Sequence, residues 1–117
     1  MPLYSTGPIE NAGTPESRSS SIIVFFENSA GSFDTVFVQV FRLNGTKTVI
    51  AQEQFNVPPE TTLTRQYFVA ATAEFEVQVL TNSGFTFVSV AGVNANNVFI
   101  PQHRLVLQEM AILPIVP

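Results

Sequence analysis

The sequence contains no cysteine and no tryptophan, and it has only one histidine, one aspartate and one lysine among its 117 residues. Without cysteine there is neither a disulfide nor a thiolate metal ligand, so stability must come from packing or from association. His103 and Asp34 alone offer little material for catalysis or metal binding. We therefore predict that the chain is not an enzyme, and we assign it no catalytic, cofactor-binding or metal-binding residues.

Charge is also scarce. Charged residues make up 12% of the chain, about half the roughly 25% of an ordinary soluble domain. With a net charge of −4 and five scattered Lys and Arg residues, the chain has no basic patch for nucleic acid. No apolar run approaches the roughly 18 residues that span a bilayer, and residues 1–8 lack the basic start and apolar block of a secretory signal. We expect no membrane span and either synthesis inside the cell or export by another route.

Hydrophobic residues reach 45% of the chain, and phenylalanine occurs eleven times. From Ser20 onwards, β-branched and aromatic runs alternate with turn residues, whereas no long window shows the apolar spacing of a helix. The pattern predicts an all-β chain, folded as a single jelly-roll or immunoglobulin-like antiparallel β-sandwich of about eight strands. The predicted strands are 20–27, 34–43, 47–55, 60–69, 73–81, 85–93, 96–100 and 103–110.

Three turn signals divide these strands. Asn44-Gly45 is typical of a tight hairpin with two positive-φ positions. The prolines of 57–60 cannot continue a ladder of hydrogen bonds, and Asn82-Ser83-Gly84 predicts a second hairpin. The C-terminal segment 111–117 is apolar but carries two prolines, so we expect it to lie across the sandwich or at an edge.

The strands differ in how many faces they bury. Residues 74–79 alternate Phe or Val with Glu or Gln, which predicts one core face and one polar face. Residues 22–26 and 36–41 are apolar on both faces, so something must cover the second face. A loop or a chain terminus could do so, but little loop is available, and we favour a neighbouring subunit. Most of the phenylalanines are expected in the core and a minority at interfaces.

Residues 1–19 contain three prolines and two glycines and show no helical or strand period, so we treat them as an N-terminal arm preceding a sandwich domain at 20–117. The arm is either a frayed terminus or a connector, since prolines favour the extended form in which a peptide adds to a sheet edge. Leu3, Tyr4 and Ile9 are the candidate self-assembly residues.

Two possible reactive sites have simpler explanations. His103 lies beside a predicted strand start, where a solvated imidazole is expected, although an enzyme would have to use it. Glu74 and Glu76 could form a carboxylate pair, but their alternation with Phe75 and Val77 explains them as a polar outer face.

The arm at 7–14, together with Val38-Gln39-Val40-Phe41, Asn44-Gly45-Thr46 and Phe75-Glu76-Val77-Gln78-Val79, resembles small subunits of Bacillus endospore appendages. The resemblance implies jelly-roll subunits that polymerise into pilus-like fibres, with an N-terminal connector reaching into a neighbouring subunit and sheets that augment one another. It further implies synthesis in the mother cell, an extracellular place on the spore surface and a spore-surface anchor protein as partner. Because the better-known subunits carry connector cysteines, it points to a thinner, cysteine-free appendage.

The function expected from the sequence is thus that of a structural subunit that forms a linear or helical homo-oligomer. The alternative is a non-catalytic, lectin-like ligand-binding module of a surface structure.

Overall fold

The computed structural model describes residues 2–70, 72–83 and 85–113 of the chain. Nearly all of the regular structure is β. The strands are β1 (Leu3–Ser5), β2 (Ile9–Glu10), β3 (Ser21–Asn28), β4 (Asp34–Arg42), β5 (Thr48–Val57), β6 (Thr61–Phe68), β7 (Glu74–Thr81), β8 (Thr86–Val93), β9 (Phe99–Leu105) and β10 (Ala111–Leu113). Two short 3₁₀ turns lie at Pro15–Ser17 and Leu107–Glu109.

The strands form two antiparallel sheets that face each other. The larger sheet has the order β10-β1-β7-β4-β5, with β2 also paired to β7, and the smaller sheet has the order β6-β3-β8-β9. Three sets of strand pairs are nested one inside the next, as in a jelly roll. The innermost is β4 with β5, the next is β3 with β6, and the outermost is β1 and β2 with β7. The predicted antiparallel β-sandwich is confirmed.

The core is built from residues at every second position of the central strands. Phe75, Val77 and Val79 of β7 are fully buried, as the alternation in 74–79 predicts. Beside them in the same sheet, the inward valines of β4, Val36, Val38 and Val40, are fully buried as well. At the other side of the core the Phe26 and Phe55 rings meet edge to face, with centroids 5.2 Å apart.

Two turn predictions hold in position, and one of them differs in form. The connection after β4 does contain Gly45 with φ +85°, but Asn44 does not take a positive φ, and five residues rather than two separate β4 from β5. The prolines at 58 and 59 end β5, as expected, and the chain passes there into the other sheet.

The hairpin predicted at Asn82-Ser83-Gly84 is wrong. Its flanking strands, β7 and β8, lie in different sheets, so this connection crosses the sandwich. Gly84 itself lies outside the described residues. The local turn signal was correct, but turn residues do not say whether the next strand pairs beside the last one or opposite it.

The predicted strands 96–100 and 103–110 are also wrong. They are replaced by the single strand β9, which is irregularly paired to β8 between Val90 and Gly92, and by a 3₁₀ turn. The chain then changes sheet and adds β10 to the outer edge of β1. This agrees with the expectation that residues near 111 lie at an edge, while Pro114–Pro117 lie outside the described residues.

Asp34 holds the crossover between β7 and β8. Its side chain is buried, and one carboxylate oxygen accepts hydrogen bonds from the backbone N–H groups of Asn82 and Ser83, both at 3.1 Å. The other oxygen accepts from the hydroxyls of Ser83 and Thr86. The single aspartate of the chain is therefore a structural residue that fixes where the two sheets are joined.

We expect Asp34→Ala to lower the free energy of unfolding by about 2–4 kcal/mol, because it leaves several buried donors without an acceptor. Urea denaturation followed by fluorescence or circular dichroism measures this loss. Glu27→Ala, which removes an exposed carboxylate at the end of β3, is the control and should change stability by less than about 0.5 kcal/mol. Equal effects of the two substitutions would contradict the role given to Asp34.

Candidate functional site at the N-terminal arm

The N-terminal arm lies along the free edge of β7. In β1, Leu3 is paired with Leu80 and Tyr4 with Val79, and in β2, Ile9 is paired with Phe75. Tyr4 and Ile9 point into the core and are nearly fully buried, whereas Leu3 is partly buried on the outer side of the sheet. The structure thus brings the three predicted assembly residues to one sheet edge, where they complete the sheet of their own chain. Docking on a neighbouring chain stays a prediction.

A bulge between β1 and β2 keeps the edge of β7 satisfied. The Thr6 backbone N–H donates to the Val77 carbonyl at 3.0 Å, and the Val77 N–H donates to the Thr6 hydroxyl at 3.0 Å. Gly7 follows with φ +67°, a conformation that favours glycine. The hydroxyl therefore replaces the carbonyl that a regular strand would have offered at this point.

Asn11 ties the end of the arm to the loop before β7. Its side-chain amide donates to the carbonyls of Ser19 at 3.0 Å and Thr72 at 3.1 Å, and its side-chain oxygen accepts from the Ser19 N–H at 2.7 Å. The residue is almost fully buried. Because a buried amide without partners is costly, this set of bonds fixes the chain on both sides of the 12–18 segment.

His103 joins β9 to the same part of the arm. Its Nδ1 lies 2.6 Å from the Ser19 hydroxyl oxygen, its Nε2 lies 3.0 Å from the Glu10 carbonyl oxygen, and its ring meets Phe75 edge to face. The imidazole is only 5% exposed, so the expectation of a solvated histidine is wrong. Tertiary packing of the arm over β9 buries it, and one sequence gives no sign of that contact.

The hydrogen bonds fix the tautomer of His103. A carbonyl oxygen can only accept, so Nε2 carries the proton and Nδ1 accepts from the Ser19 hydroxyl. Burial lowers the pKa of His103 below its usual value, against the hydrogen bond to Glu10, which raises it. The folded state therefore favours the neutral imidazole.

Ser19 and His103 form a hydroxyl–imidazole pair like that of a nucleophile and its base, but the surroundings differ from those of a catalytic pair. Ser19 is only 1% exposed, so no substrate can reach its hydroxyl. The far side of the imidazole faces a backbone carbonyl rather than the carboxylate that orients a catalytic histidine. A Cβ at Gly92 would lie 2.7 Å from the His103 Cβ, so a glycine is needed for this close approach.

A second attachment lies on the outer side of the larger sheet. The Ser5 hydroxyl and the Gln78 amide both donate to one carboxylate oxygen of Glu76, at 2.5 and 3.0 Å, and the Lys47 ammonium lies 3.1 Å from the other oxygen. Burial by itself would raise the pKa of Glu76, but these three partners outweigh it and hold the pKa below its usual value. The predicted polar outer face of β7 is therefore an organised contact that includes the arm.

Between these attachments the arm is held less firmly, with a hydrogen bond from the Asn94 side-chain amide to the Glu16 carbonyl at 3.3 Å. Residues 12–18 are all exposed, and they include Gly13 with φ +108° and a single 3₁₀ turn. Beside them, a groove of about 750 Å³ lies between the arm and β9, with Ile9, Gln102 and His103 among its lining residues. The arm is thus held by strand pairing with β7 and is joined to β3 through the exposed segment 12–18.

The phenylalanines contradict the expectation that most are core residues. Only Phe26, Phe41 and Phe75 are buried, although the chain has eleven. Five are largely exposed, namely Phe33, Phe68, Phe85, Phe87 and Phe99. The expectation failed because these rings lie at outward positions of their strands, as Phe68, Phe87 and Phe99 do, or in connections between strands, as Phe33 and Phe85 do.

The described residues contain neither a metal-binding cluster nor a membrane-spanning helix. No three His, Cys, Asp or Glu side chains in 2–70, 72–83 and 85–113 lie close enough to hold a metal ion. In the same residues, no helix has the length and apolar character needed to cross a membrane.

The arm attachment should weaken in mild acid. The unfolded His103 takes up a proton near pH 6.5, and the folded imidazole does so only at lower pH because its pKa is lowered. The unfolded state then binds more protons, so stability is highest above about pH 6.5 and falls as the pH drops below it. Unfolding free energies measured in urea from pH 7.5 to 5.5 should show this loss.

His103→Gln is the matched variant, because a carboxamide can donate and accept but does not titrate in this range. Its stability should change less between pH 7.5 and 5.5 than that of the unsubstituted chain. If both proteins lose the same stability over this interval, the buried imidazole is not the group responsible.

Comparison with known proteins shows the fold and nothing finer. No protein-family model matches the chain, and no curated protein matches its sequence. A solved structure described as Thermotoga maritima 1070 is similar over 95% of this chain and 90% of its own, with a TM-score of 0.56 and 9% identity. The Anabaena sensory rhodopsin transducer is similar over 82% of this chain and 90% of its own, with a TM-score of 0.56 and 12% identity. The chain shares their β-sandwich architecture.

Proposed function

We propose that the chain is a structural, self-assembling subunit of an extracellular fibre, and that copies join when the N-terminal arm leaves its own sheet and takes the same place in a neighbour. The proposal rests on how the arm is bound to the sheet of its own chain. The arm contributes two short edge strands and the core side chains of Tyr4 and Ile9, yet only the exposed segment 12–18 connects it to the body.

Exchange of the arm conserves its contacts. A copy that receives an arm from a neighbour gains the same pairing with β7 and the same bonds to Glu76 that its own arm makes. The balance between the two states therefore depends on the geometry of the 12–18 connection and on protein concentration. Because each copy gives one arm and receives another, the contact is head to tail and grows an open chain unless the rotation closes a ring.

Sheet augmentation is the second contact that we propose for the fibre. The ten-residue strand β5 forms one border of the larger sheet, and no described strand pairs with its outer edge. A long free edge offers unpaired backbone groups to another chain. The resemblance to endospore appendage subunits supports the same reading, with the spore surface as the location and an anchor protein there as a further partner.

Cysteine pairs test the exchange directly, since the chain has no cysteine of its own. Leu3 and Leu80 are cross-strand partners, so a Leu3→Cys, Leu80→Cys variant should form a disulfide wherever the arm is seated. At low concentration we expect a bond within one chain. In assembled material we expect bonds between chains, which appear as a ladder on a non-reducing gel.

A Thr35→Cys, Asn56→Cys variant is the control. These residues are partners within the β4–β5 hairpin and should bond within one chain under all conditions. Both tests keep the full chain, because deleting the arm would also remove Tyr4 and Ile9 from the core. If the Leu3–Leu80 pair bonds only within chains even in sedimented fibres, arm exchange is wrong.

A lectin-like ligand-binding module is the second candidate, and the groove of about 750 Å³ between the arm and β9 is the observation in its favour. Such a module would keep one small size at every concentration in size-exclusion chromatography. Growth in apparent mass beyond a dimer as the concentration rises favours the fibre subunit.

A further inference from the structure

The outer face of the smaller sheet carries an apolar surface that no described segment covers. Strand alternation directs Ile23 and Phe25 of β3 outwards, and further rings lie on the same face near the ends of the flanking strands. We call this surface the aromatic face, and its members are Ile23, Phe25, Phe68, Phe87, Phe99 and Val106.

The exposed apolar area is comparable with the largest patch on a typical monomer, and such patches are often functional. Phe68, Phe87 and Phe99 are 79%, 50% and 55% exposed. With about 200 Å² for a whole phenylalanine side chain, the three rings leave roughly 370 Å² of apolar surface in water. The largest apolar patch on a typical monomer is about 300–600 Å², and Ile23, Phe25 and Val106 extend this one. A surface of this kind is typical of a protein contact.

The shape of the aromatic face is regular. Ile23 of β3 lies beside Ala91 of β8, and Phe25 lies beside Ser89, so large side chains on one strand are paired with small ones on the next. A shallow hollow of about 190 Å³ opens beside the small residues. The large side chains of β3 therefore stand next to a depression along β8.

We propose that a second copy of this chain covers the aromatic face, with the two smaller sheets packed face to face about a two-fold axis that runs parallel to β3 and β8 and between them. This rotation places β3 of each copy over β8 of the other. Ile23 then lies over Ala91 and Phe25 over Ser89, so each large side chain meets a small one, as close packing requires.

The same axis exchanges the outer strands β6 and β9. Phe68, at one border of the face, then meets Phe99, at the opposite border of the partner copy. Nearer the centre, Gln66 meets Arg104, and its amide oxygen can accept a hydrogen bond from the guanidinium. Apart from Glu27, which this rotation places over Phe87 of the second copy, the surface is complementary to itself under one rotation. Self-complementarity is the condition for a closed dimer and the reason to assign a second copy as its occupant.

This contact adds to the proposed fibre but does not require it, because every residue involved lies in the body of the sandwich. The face presents about fifteen outward side chains on its four strands, fewer than the 20–30 residues on each side of a standard interface. We therefore expect a dimer that forms and dissociates as the concentration changes.

Sedimentation equilibrium between about 1 and 100 µM tests the dimer with the arm locked in its own chain by the Leu3–Leu80 disulfide, so that arm exchange cannot contribute. We expect the locked chain to pass from monomer to dimer in this range. Adding Phe25→Ser and Phe68→Gln should weaken the dimer at least tenfold. Phe33→Gln is the control, since Phe33 is also exposed but lies in the connection between β3 and β4.

Mixed cross-linking tests the axis. A short bismaleimide should join Phe68→Cys chains to Phe99→Cys chains when the two are mixed, and neither variant should cross-link efficiently alone. Each chain carries a single cysteine, so every cross-link joins two chains and doubles the mass on a gel. Efficient cross-linking of Phe68→Cys alone would overturn the axis.

A locked chain that stays monomeric at 100 µM would overturn the dimer itself and leave the aromatic face for a partner of other chemistry. The dimer experiments do not test arm exchange, because exchange is measured separately on the chain whose arm is not locked. Conversely, a chain that dimerises when locked but never exchanges its arm would refute the fibre proposal and leave the dimer standing.

Discussion

The edge of β7 that faces away from β4 is the constraint on which the rest of the structure depends. Its backbone groups lie against the core and need partners, because an unpaired buried N–H or C=O costs about as much as a lost hydrogen bond. The arm supplies those partners from Pro2 to Asn11, including the Thr6 hydroxyl where the strand is interrupted. Without the arm, the larger sheet would end at β7, whose unpaired backbone groups would be open to water or to another chain.

Once the arm is seated, the buried polar groups around it follow. The turn from the arm into β3 brings Asn11 and Ser19 under the surface, where they bond each other and the loop before β7. His103 closes the cluster from β9, and among the described residues no buried side-chain nitrogen or oxygen lacks a partner. A polar cluster satisfied in this way specifies one position of the arm better than apolar contacts alone could.

Much of the sandwich could be predicted from the sequence, because its signals are local. The alternation in 74–79 gave the buried side of β7, and the prolines at 58 and 59 gave the end of β5. The burial of His103 could not be predicted in the same way, since it depends on a contact between residues 10 and 103 that share no sequence pattern. The hairpin predicted after β7 was wrong for a similar reason, because turn residues do not say in which sheet the next strand pairs. The candidate residues Leu3, Tyr4 and Ile9 were identified only because they are apolar residues in a polar segment.

The exposed position of Arg18 has a consequence for how the protein meets proteases. It is the only basic residue of the arm, and it lies at the end of the exposed segment that joins the arm to β3. Cleavage after it would cut the chain without removing a single strand, because β1 and β2 are held by pairing and side-chain bonds rather than by that peptide link. Because the Ser19 N–H of this peptide bond is buried and donates to Asn11, trypsin reaches the bond only when this end of the arm opens. The arm then becomes a bound peptide, and the nicked molecule keeps the mass and shape of the intact one until it is denatured.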